Sequence, residues 1–142
     1  GCCFLTNGHY TQKLKDLWKH RGKKDYEFDD IILLKVGRHI RPSPDFKLII
    51  GRDEGENHFL ENYQHQYTSI KPISHLGPLS LIDGKVNAEY IHYAAQIAAR
   101  FTDAKSNDMV TLGINSLSGS VQTLKVNPFT TDQILKEWYI SG

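Results

Sequence analysis

Residues 33–57 constrain the fold most strongly, because they hold two Gly-Arg steps, Gly37-Arg38 and Gly51-Arg52, around a predicted hairpin. Residues 39–41 and 46–51 are predicted strands. The turn residues Pro, Ser and Asp fill positions 42–45 between them. If the strands pair antiparallel, side chains alternate between the two faces of the sheet. The stretch therefore predicts a hairpin that brings two arginines close together.

The rest of the chain mixes helical and strand patterns without a regular alternation of strand and helix. Predicted helices cover 10–20, 28–36 (short, with a strand as the alternative), a segment starting near 53–54, 87–102, and a last segment after Thr130 or Thr131. Predicted strands cover 67–73, 79–82, 109–114 and 121–126, the last two forming a hairpin. The sequence thus predicts one α+β domain over residues 1–142, with mainly antiparallel strands and hairpins packed against three to four helices.

The net charge of +1 hides an asymmetry along the chain. Residues 1–41 contain nine Lys and Arg against five acids, whereas residues 42–142 contain eight against eleven. A phosphate-facing surface is therefore expected mostly in the first third. The alternative is a solvated helix face followed by a basic loop.

The two cysteines, Cys2 and Cys3, are adjacent and cannot form a conventional structural disulfide with each other. A chain without such a bridge is typical of a reducing compartment, so we expect a cytoplasmic protein. No apolar run is long enough to span a bilayer, and no signal-peptide pattern is present, so no membrane association is expected. The abrupt start on Gly1, without Met, suggests a fragment of a longer protein.

Catalytic and metal-binding motifs are missing from the sequence. The seven histidines are scattered rather than clustered at ligand spacing, so no metal site is expected. No phosphate loop, dinucleotide-binding glycine pattern or nucleophile elbow is present. We therefore assign no catalytic residue and no cofactor to this chain.

Several segments resemble the predicted RNA-binding domain NFACT-R, in the form found at the C-terminus of MnmA/ThiI-like tRNA thiolation proteins. The corresponding pieces are GCCFLT at 1–6, KLKDL at 13–17, LKVGRH at 34–39, IIGRDEGEN at 49–57 and AAQIAARFTDAK at 94–105. The resemblance implies an accessory domain that binds tRNA or another RNA, beside a PP-loop ATPase domain of the same protein that uses ATP to thiolate uridine. It also makes sulfur relay by Cys2 or Cys3 conceivable, although buried apolar cysteines at a domain junction are favoured.

Arginine guanidinium groups bind phosphates with two parallel hydrogen bonds, and aromatic rings stack on unpaired bases. On this basis the predicted RNA-binding residues are Lys19, Arg21, Lys23, Lys24, Tyr26, Arg38, His39, Arg41 and Arg52. The structural alternative is that Arg38 and Arg52 pair with Asp53, Glu54 or Glu56 and lock the hairpin.

Two other functions remain open from the sequence. A docking module would expose an apolar patch near Phe4-Leu5 and would have no RNA affinity of its own. A small phosphoester-processing enzyme would need a cleft that gathers His39, Arg38, Arg52 and an acid such as Glu56 or Asp53.

Overall fold

The computed structural model describes residues 8–21, 32–105, 107–117, 119–130, 133–134 and 136–140. Within them one sheet has the strand order β1-β2-β4-β3-β5-β6, with every neighbouring pair antiparallel. Its strands are β1 (Arg38–Ser43), β2 (Phe46–Ile50), β3 (Thr68–Pro72), β4 (Ser80–Gly84), β5 (Val110–Asn115) and β6 (Val121–Val126). The predicted α+β class is confirmed.

The helices are α1 (Gly8–Arg21), α2 (Glu54–Glu61) and α3 (Ala88–Arg100), and a short 3-10 helix spans Lys136–Trp138. The apolar face of α3 packs on one side of the sheet, where its alanines allow close contact. Leu60 and Tyr63, at the end of α2, pack on the other side with Leu33 and Ile49. Both faces of β2 are therefore buried. None of the described helices is long and apolar enough to cross a membrane.

The predicted first hairpin is confirmed, with Arg38 opposite Ile50 and Ile40 opposite Leu48. Its turn is shorter than the sequence suggests, because the register shifts between Ile40 and Ser43 and the strand continues through Ser43. Ile40 lies in the core beneath α3, and strand alternation places His39 on the opposite face.

The predicted start of α2 is confirmed by its cap. The carboxylate of Asp53 accepts a hydrogen bond from the Glu56 N–H at 2.8 Å. Asn87 caps α3 in the same way, accepting from the Tyr90 N–H at 2.8 Å. Side-chain oxygens at both positions satisfy amides that the helix itself leaves without a partner.

The last predicted helix is wrong in length. The Thr130 hydroxyl accepts from the Gln133 N–H, and the Gln133 side chain accepts from the Thr130 N–H, which is the reciprocal pattern of a helix start. Among the described residues, however, only the 3-10 turn Lys136–Trp138 follows. Tyr139 then forms a bridge with Ile40, so the chain returns to the edge of β1 instead of continuing as a helix.

Candidate nucleic-acid interface

The first Gly-Arg step begins the edge strand β1. Gly37 has φ +78°, and a Cβ there would lie 2.7 Å from the Ile50 carbonyl oxygen, so only glycine fits this close approach. The turn delivers Arg38 opposite Ile50, the last residue of β2. Arg52 follows β2 by two residues, so strand register brings the two arginines to the same end of the hairpin.

Glu56 connects the two Gly-Arg steps. One carboxylate oxygen accepts from the Gly37 N–H at 3.0 Å, and the other accepts from the Arg52 N–H at 2.9 Å. The Arg52 guanidinium also donates to both oxygens, at 2.9 and 2.8 Å. The hydrogen bond from this guanidinium, aided by the two backbone N–H donors, lowers the pKa of Glu56 to about 2. The structural alternative for Arg52, an ion pair that locks the hairpin, is therefore present.

The second Gly-Arg step is fixed by Asn57. Its side-chain oxygen accepts from the Leu79 N–H at 3.2 Å, and a Cβ on Gly51 would lie 1.9 Å from that oxygen. Gly51 thus leaves room for the Asn57 side chain, which ties α2 to the residue before β4. Together, Glu56 and Asn57 fix the position of Arg52.

A cleft of about 780 Å³ opens beside these two steps. It lies between the start of α2, the loop before β4, the end of α3 and the segment after the 3-10 helix. The lining residues are Arg38, Gly51, Arg52, Asp53, Glu54, Asn57, Leu76, Gly77, Pro78, Arg100, Phe101, Thr102, Ile134 and Tyr139. The lining contains three arginines and two acids, and Glu56 outside the lining forms an ion pair with one of these arginines, Arg52.

Arg38 and Phe101 form a stacked pair in the wall of the cleft. The guanidinium carbon of Arg38 lies 5.0 Å from the centre of the Phe101 ring, which is within cation–π range. Among the described residues Arg38 makes no ion pair, in contrast with Arg52. The pair brings together a guanidinium group and an aromatic ring, the two kinds of group on which unpaired nucleobases stack.

A smaller pocket of about 180 Å³ adjoins the cleft and shares Arg38, Arg52 and Tyr139 with it. Lys13 of α1 also lines this pocket and is 7% exposed. Burial, followed by the nearby positive charge of Arg52, lowers the pKa of Lys13, while Glu56 opposes the shift. The pocket therefore brings together cationic groups from α1, from β1 and from Arg52 after β2.

His39 has a buried, structural environment. It is 2% exposed, and its Nε2 donates to the carbonyl oxygens of Leu33 and Val36 at 3.0 and 3.1 Å. Burial lowers its pKa well below the usual value, and the positive charges of Lys47 and Lys13 lower it further. This environment favours a structural role, although His39 also lines the smaller pocket with Arg38 and Arg52.

RNA contact by His39 stays a prediction. Neither Glu56 nor Asp53, the acids of the phosphoester-processing alternative, is in the lining of that pocket.

Arg41 lies apart from the cleft. Its guanidinium donates to both carboxylate oxygens of Asp16, with distances of 2.9 to 3.2 Å, and thereby ties β1 to α1. Both side chains are largely buried. This geometry favours a role in anchoring α1, and RNA contact by Arg41 stays a prediction.

The remaining predicted residues are distributed differently. Lys19 is exposed on α1 near Arg41, and Arg21 is the last residue of α1. Cys2, Cys3, Lys23, Lys24 and Tyr26 lie outside the described residues, as does the Phe4-Leu5 patch. In the described part of the chain, no group of three or more His, Cys, Asp or Glu residues could hold a metal ion.

Sequence reasoning missed three residues of the site, namely Lys13, Arg100 and Phe101, whereas Tyr139 is one of several aromatic residues that the sequence offers for base stacking. Arg100 and Phe101 lie at the C-terminal end of α3, and Tyr139 follows the 3-10 helix. In the predicted helix 87–102, Phe101 shares one apolar face with Tyr90, Ala94 and Ile97, a pattern typical of core residues. Its pairing with Arg38 connects positions far apart in the chain, and no local pattern signals such a contact.

Comparison with known proteins identifies a family and several solved structures with a similar fold. Residues 37–139 match the family described as NFACT protein RNA binding domain. The chain is also similar to the C-terminal part of the fibronectin/fibrinogen-binding protein from Streptococcus suis, with a TM-score of 0.60 and 19% identity. That alignment covers 96% of this chain and 64% of the other, and it shows a shared fold. No curated protein sequence matches significantly.

Proposed function

The chain belongs to the family of NFACT RNA-binding domains, and we propose that it binds tRNA mainly through the phosphate backbone. The family assignment supports a general RNA-binding role. The choice of tRNA, the mode of binding and the parent protein are proposals, supported by the cleft and by the sequence resemblance described above.

One observation carries the proposal. Arg38, Arg52 and Arg100 come from β1, from the residues after β2 and from the end of α3, and all line one cleft inside the matched region. Guanidinium groups bind phosphate oxygens with good geometry and keep their charge at any physiological pH. Arg38 and Phe101 add a stacking surface beside them.

The basic residues of the first third would extend this surface. Lys19 and Arg21 on α1, with Lys23, Lys24 and Tyr26 after it, are proposed to contact the RNA outside the cleft. Contacts of this kind neutralise phosphates and release counterions, so affinity should fall steeply with salt and depend little on sequence.

The wider setting is also a proposal. We place the domain in a cytoplasmic tRNA uridine-thiolation protein, where it would hold the tRNA for a PP-loop domain that uses ATP. The support is the sequence resemblance to the C-terminal domain of such proteins.

The test is binding of bulk labelled tRNA over a salt series. We expect saturable binding for the wild type, and weaker binding with a shallower salt dependence for Arg38→Gln/Arg100→Gln. Each lost phosphate contact should reduce the slope of log K against log salt by about 1. Lys71→Gln/Lys125→Gln is the matched control, because it also removes two charges, from exposed positions outside the cleft lining.

Equal losses in the two double variants would mean that only net charge matters. An unchanged affinity in Arg38→Gln/Arg100→Gln, with its folding confirmed by thermal unfolding, would remove the cleft from the proposal. Absence of tRNA binding by the folded wild-type chain would contradict the proposed function itself.

A further inference from the structure

The small pocket beside the cleft differs from the cleft in shape and charge. It measures about 180 Å³ and is more enclosed than the larger space that it adjoins. Because the two share Arg38, Arg52 and Tyr139, a ligand in the pocket would continue directly into the cleft. We propose that this pocket binds the terminal phosphate of an unpaired RNA strand, whose adjoining nucleotides occupy the cleft. The proposal rests on the RNA-binding role in the proposed function, and its ligand is an RNA with a phosphorylated, unpaired end. Mature tRNA is not such an RNA, because its 5′-phosphate nucleotide is base-paired and its single-stranded 3′ end carries hydroxyl groups.

The charge of the pocket matches a phosphate monoester better than a diester. Lys13, Arg38 and Arg52 line it. Among the described residues, Glu56 forms an ion pair with Arg52, and Asp53 also attracts Arg52 electrostatically. Lys13 and Arg38 are therefore the cations that would face the phosphate. A phosphate monoester has a charge of about −1.5 to −2 at pH 7, whereas an internal diester has a single negative charge.

The enclosure of the pocket also favours a chain end. An internal phosphate is bonded to nucleotides on both sides, so the strand would have to enter and leave through the same opening. A terminal phosphate needs one connection only. Since the pocket and the cleft share three lining residues, that single connection can lie along the cleft wall.

The wall next to the pocket suits an unpaired base. Arg38 stacks on Phe101 at 5.0 Å, and Tyr139 lies at the boundary between pocket and cleft. Aromatic and guanidinium planes stack on bases that are not already stacked in a duplex. Bases inside a duplex are already stacked on their neighbours, so this wall favours an unpaired strand.

The test compares three single-stranded RNA octanucleotides of one sequence, with a 5′-phosphate, a 3′-phosphate or hydroxyl groups at both ends. Each carries the same internal fluorophore, so that the ends stay free. We expect one phosphorylated form to bind the wild-type chain at least ten-fold more tightly than the hydroxyl form, and the preferred end identifies the strand direction. The same octanucleotide in a blunt duplex should bind more weakly than its single-stranded form.

Two substitutions in α1 test whether the preference for a phosphorylated RNA end depends on the small pocket. In Lys13→Gln, the ratio of the affinity for the preferred phosphorylated octanucleotide to that for the hydroxyl form should fall close to one. Lys15→Gln changes an exposed position two residues away and should leave this ratio unchanged. Thermal unfolding of both variants checks that they are folded. The comparison of RNA ends in the wild type needs no variant, so the proposal is tested even if Lys13→Gln does not fold.

Equal affinity for all three ends, with tRNA binding intact, would overturn this inference and leave the proposed function standing. A preference that persists in folded Lys13→Gln would overturn the placement of the phosphate in the small pocket. If neither tRNA nor any octanucleotide binds, the proposed function fails and the inference fails with it.

Discussion

The carboxylate of Glu56 accepts a 3.0 Å hydrogen bond from the backbone N–H of Gly37, nineteen residues earlier in the chain. The same carboxylate holds the backbone and the guanidinium of Arg52. One acidic side chain at the start of α2 therefore fixes both Gly-Arg steps relative to each other. It also sets the spacing of the two arginines that line the cleft and the smaller pocket.

Replacing Glu56 with Gln should destabilise the domain. The amide cannot reproduce a charged acceptor of four hydrogen bonds, and loss of hydrogen bonding to a charged group costs about 1–3 kcal/mol. The free energy of unfolding, measured by chemical denaturation at pH 7, checks this. Glu54→Gln in the same helix turn is the control and should change stability by less than about 0.5 kcal/mol. A smaller effect for Glu56→Gln than for Glu54→Gln would contradict the assigned role.

The effect of Glu56 should also depend on pH. Its pKa is about 2 in the folded protein, against an ordinary value of 4.5. A lowered carboxyl pKa stabilises the fold fully above pH 4.5, and the stabilisation is lost as pH falls towards 2. The stability difference between wild type and Glu56→Gln should therefore be constant near neutral pH and shrink across that acidic window. A constant difference down to pH 2 would contradict the ion pair with Arg52.

The buried His39 side chain should give the stability of the fold a second, separate dependence on pH. Burial keeps the folded-state pKa well below 6.5, whereas the unfolded chain takes up the proton near its ordinary pKa. Stability should therefore decrease as pH falls below 6.5, by up to about 1.4 kcal/mol per pH unit. His39→Gln retains a donor for the Leu33 and Val36 carbonyls and should flatten the unfolding free energy between pH 6.5 and 5. His58→Gln, at an exposed position, is the control and should keep the wild-type dependence of unfolding free energy on pH. The prediction would be refuted if His39→Gln kept that wild-type dependence as well.

Gly51 and Asn57 should be energetically coupled. Gly51→Ala places a Cβ where the Asn57 oxygen lies, so the hydrogen bond to Leu79 should be lost at a cost of about 1–3 kcal/mol. Asn57→Ala removes the same bond, and the double variant should be clearly less destabilised than the sum of the single variants. Gly55→Ala is the control, because the added Cβ would contact only the Asp53 carboxylate, at 3.4 Å. This variant should have unchanged stability or gain up to about 1 kcal/mol. Strict additivity in the Gly51–Asn57 cycle would show that the two residues do not act together.

Arg41 should affect stability more than RNA binding. Arg41→Lys keeps the charge but loses the paired geometry with Asp16, and we expect a loss of about 1–2 kcal/mol in unfolding free energy. Its tRNA affinity and salt dependence should match the wild type under conditions where it is folded. A large loss of tRNA affinity with unchanged stability would restore the sequence-based prediction that Arg41 contacts RNA.

Local patterns were sufficient to predict most of the fold. The sequence predicts Asn87 as a helix cap and places Asp53 near a helix start because of its charge. Both side chains accept from an amide only three residues away, which is a local interaction. The two hairpins followed from turn residues between alternating segments. The last helix was predicted too long, because the contact of Tyr139 with Ile40 at the edge of β1 is a tertiary interaction that no local pattern contains.

The site was harder to predict than the fold. The Gly-Arg steps located Arg38 and Arg52 correctly at the end of one hairpin, but the sequence left their partners open. The structure pairs Arg52 with Glu56 and stacks Arg38 on Phe101. His39 resembled its neighbours in the sequence, yet strand alternation buries it on the face opposite Ile40. Burial and long-range pairing depend on how helices cover the sheet, which the sequence pattern does not specify.

The most direct test of the central claim is the salt dependence of tRNA binding for the wild type and Arg38→Gln/Arg100→Gln. The account predicts saturable wild-type binding that weakens steeply with salt, and a double variant with lower affinity and a slope reduced by about 2. Binding by the folded double variant with wild-type affinity and slope would contradict the claim that the cleft holds the RNA backbone.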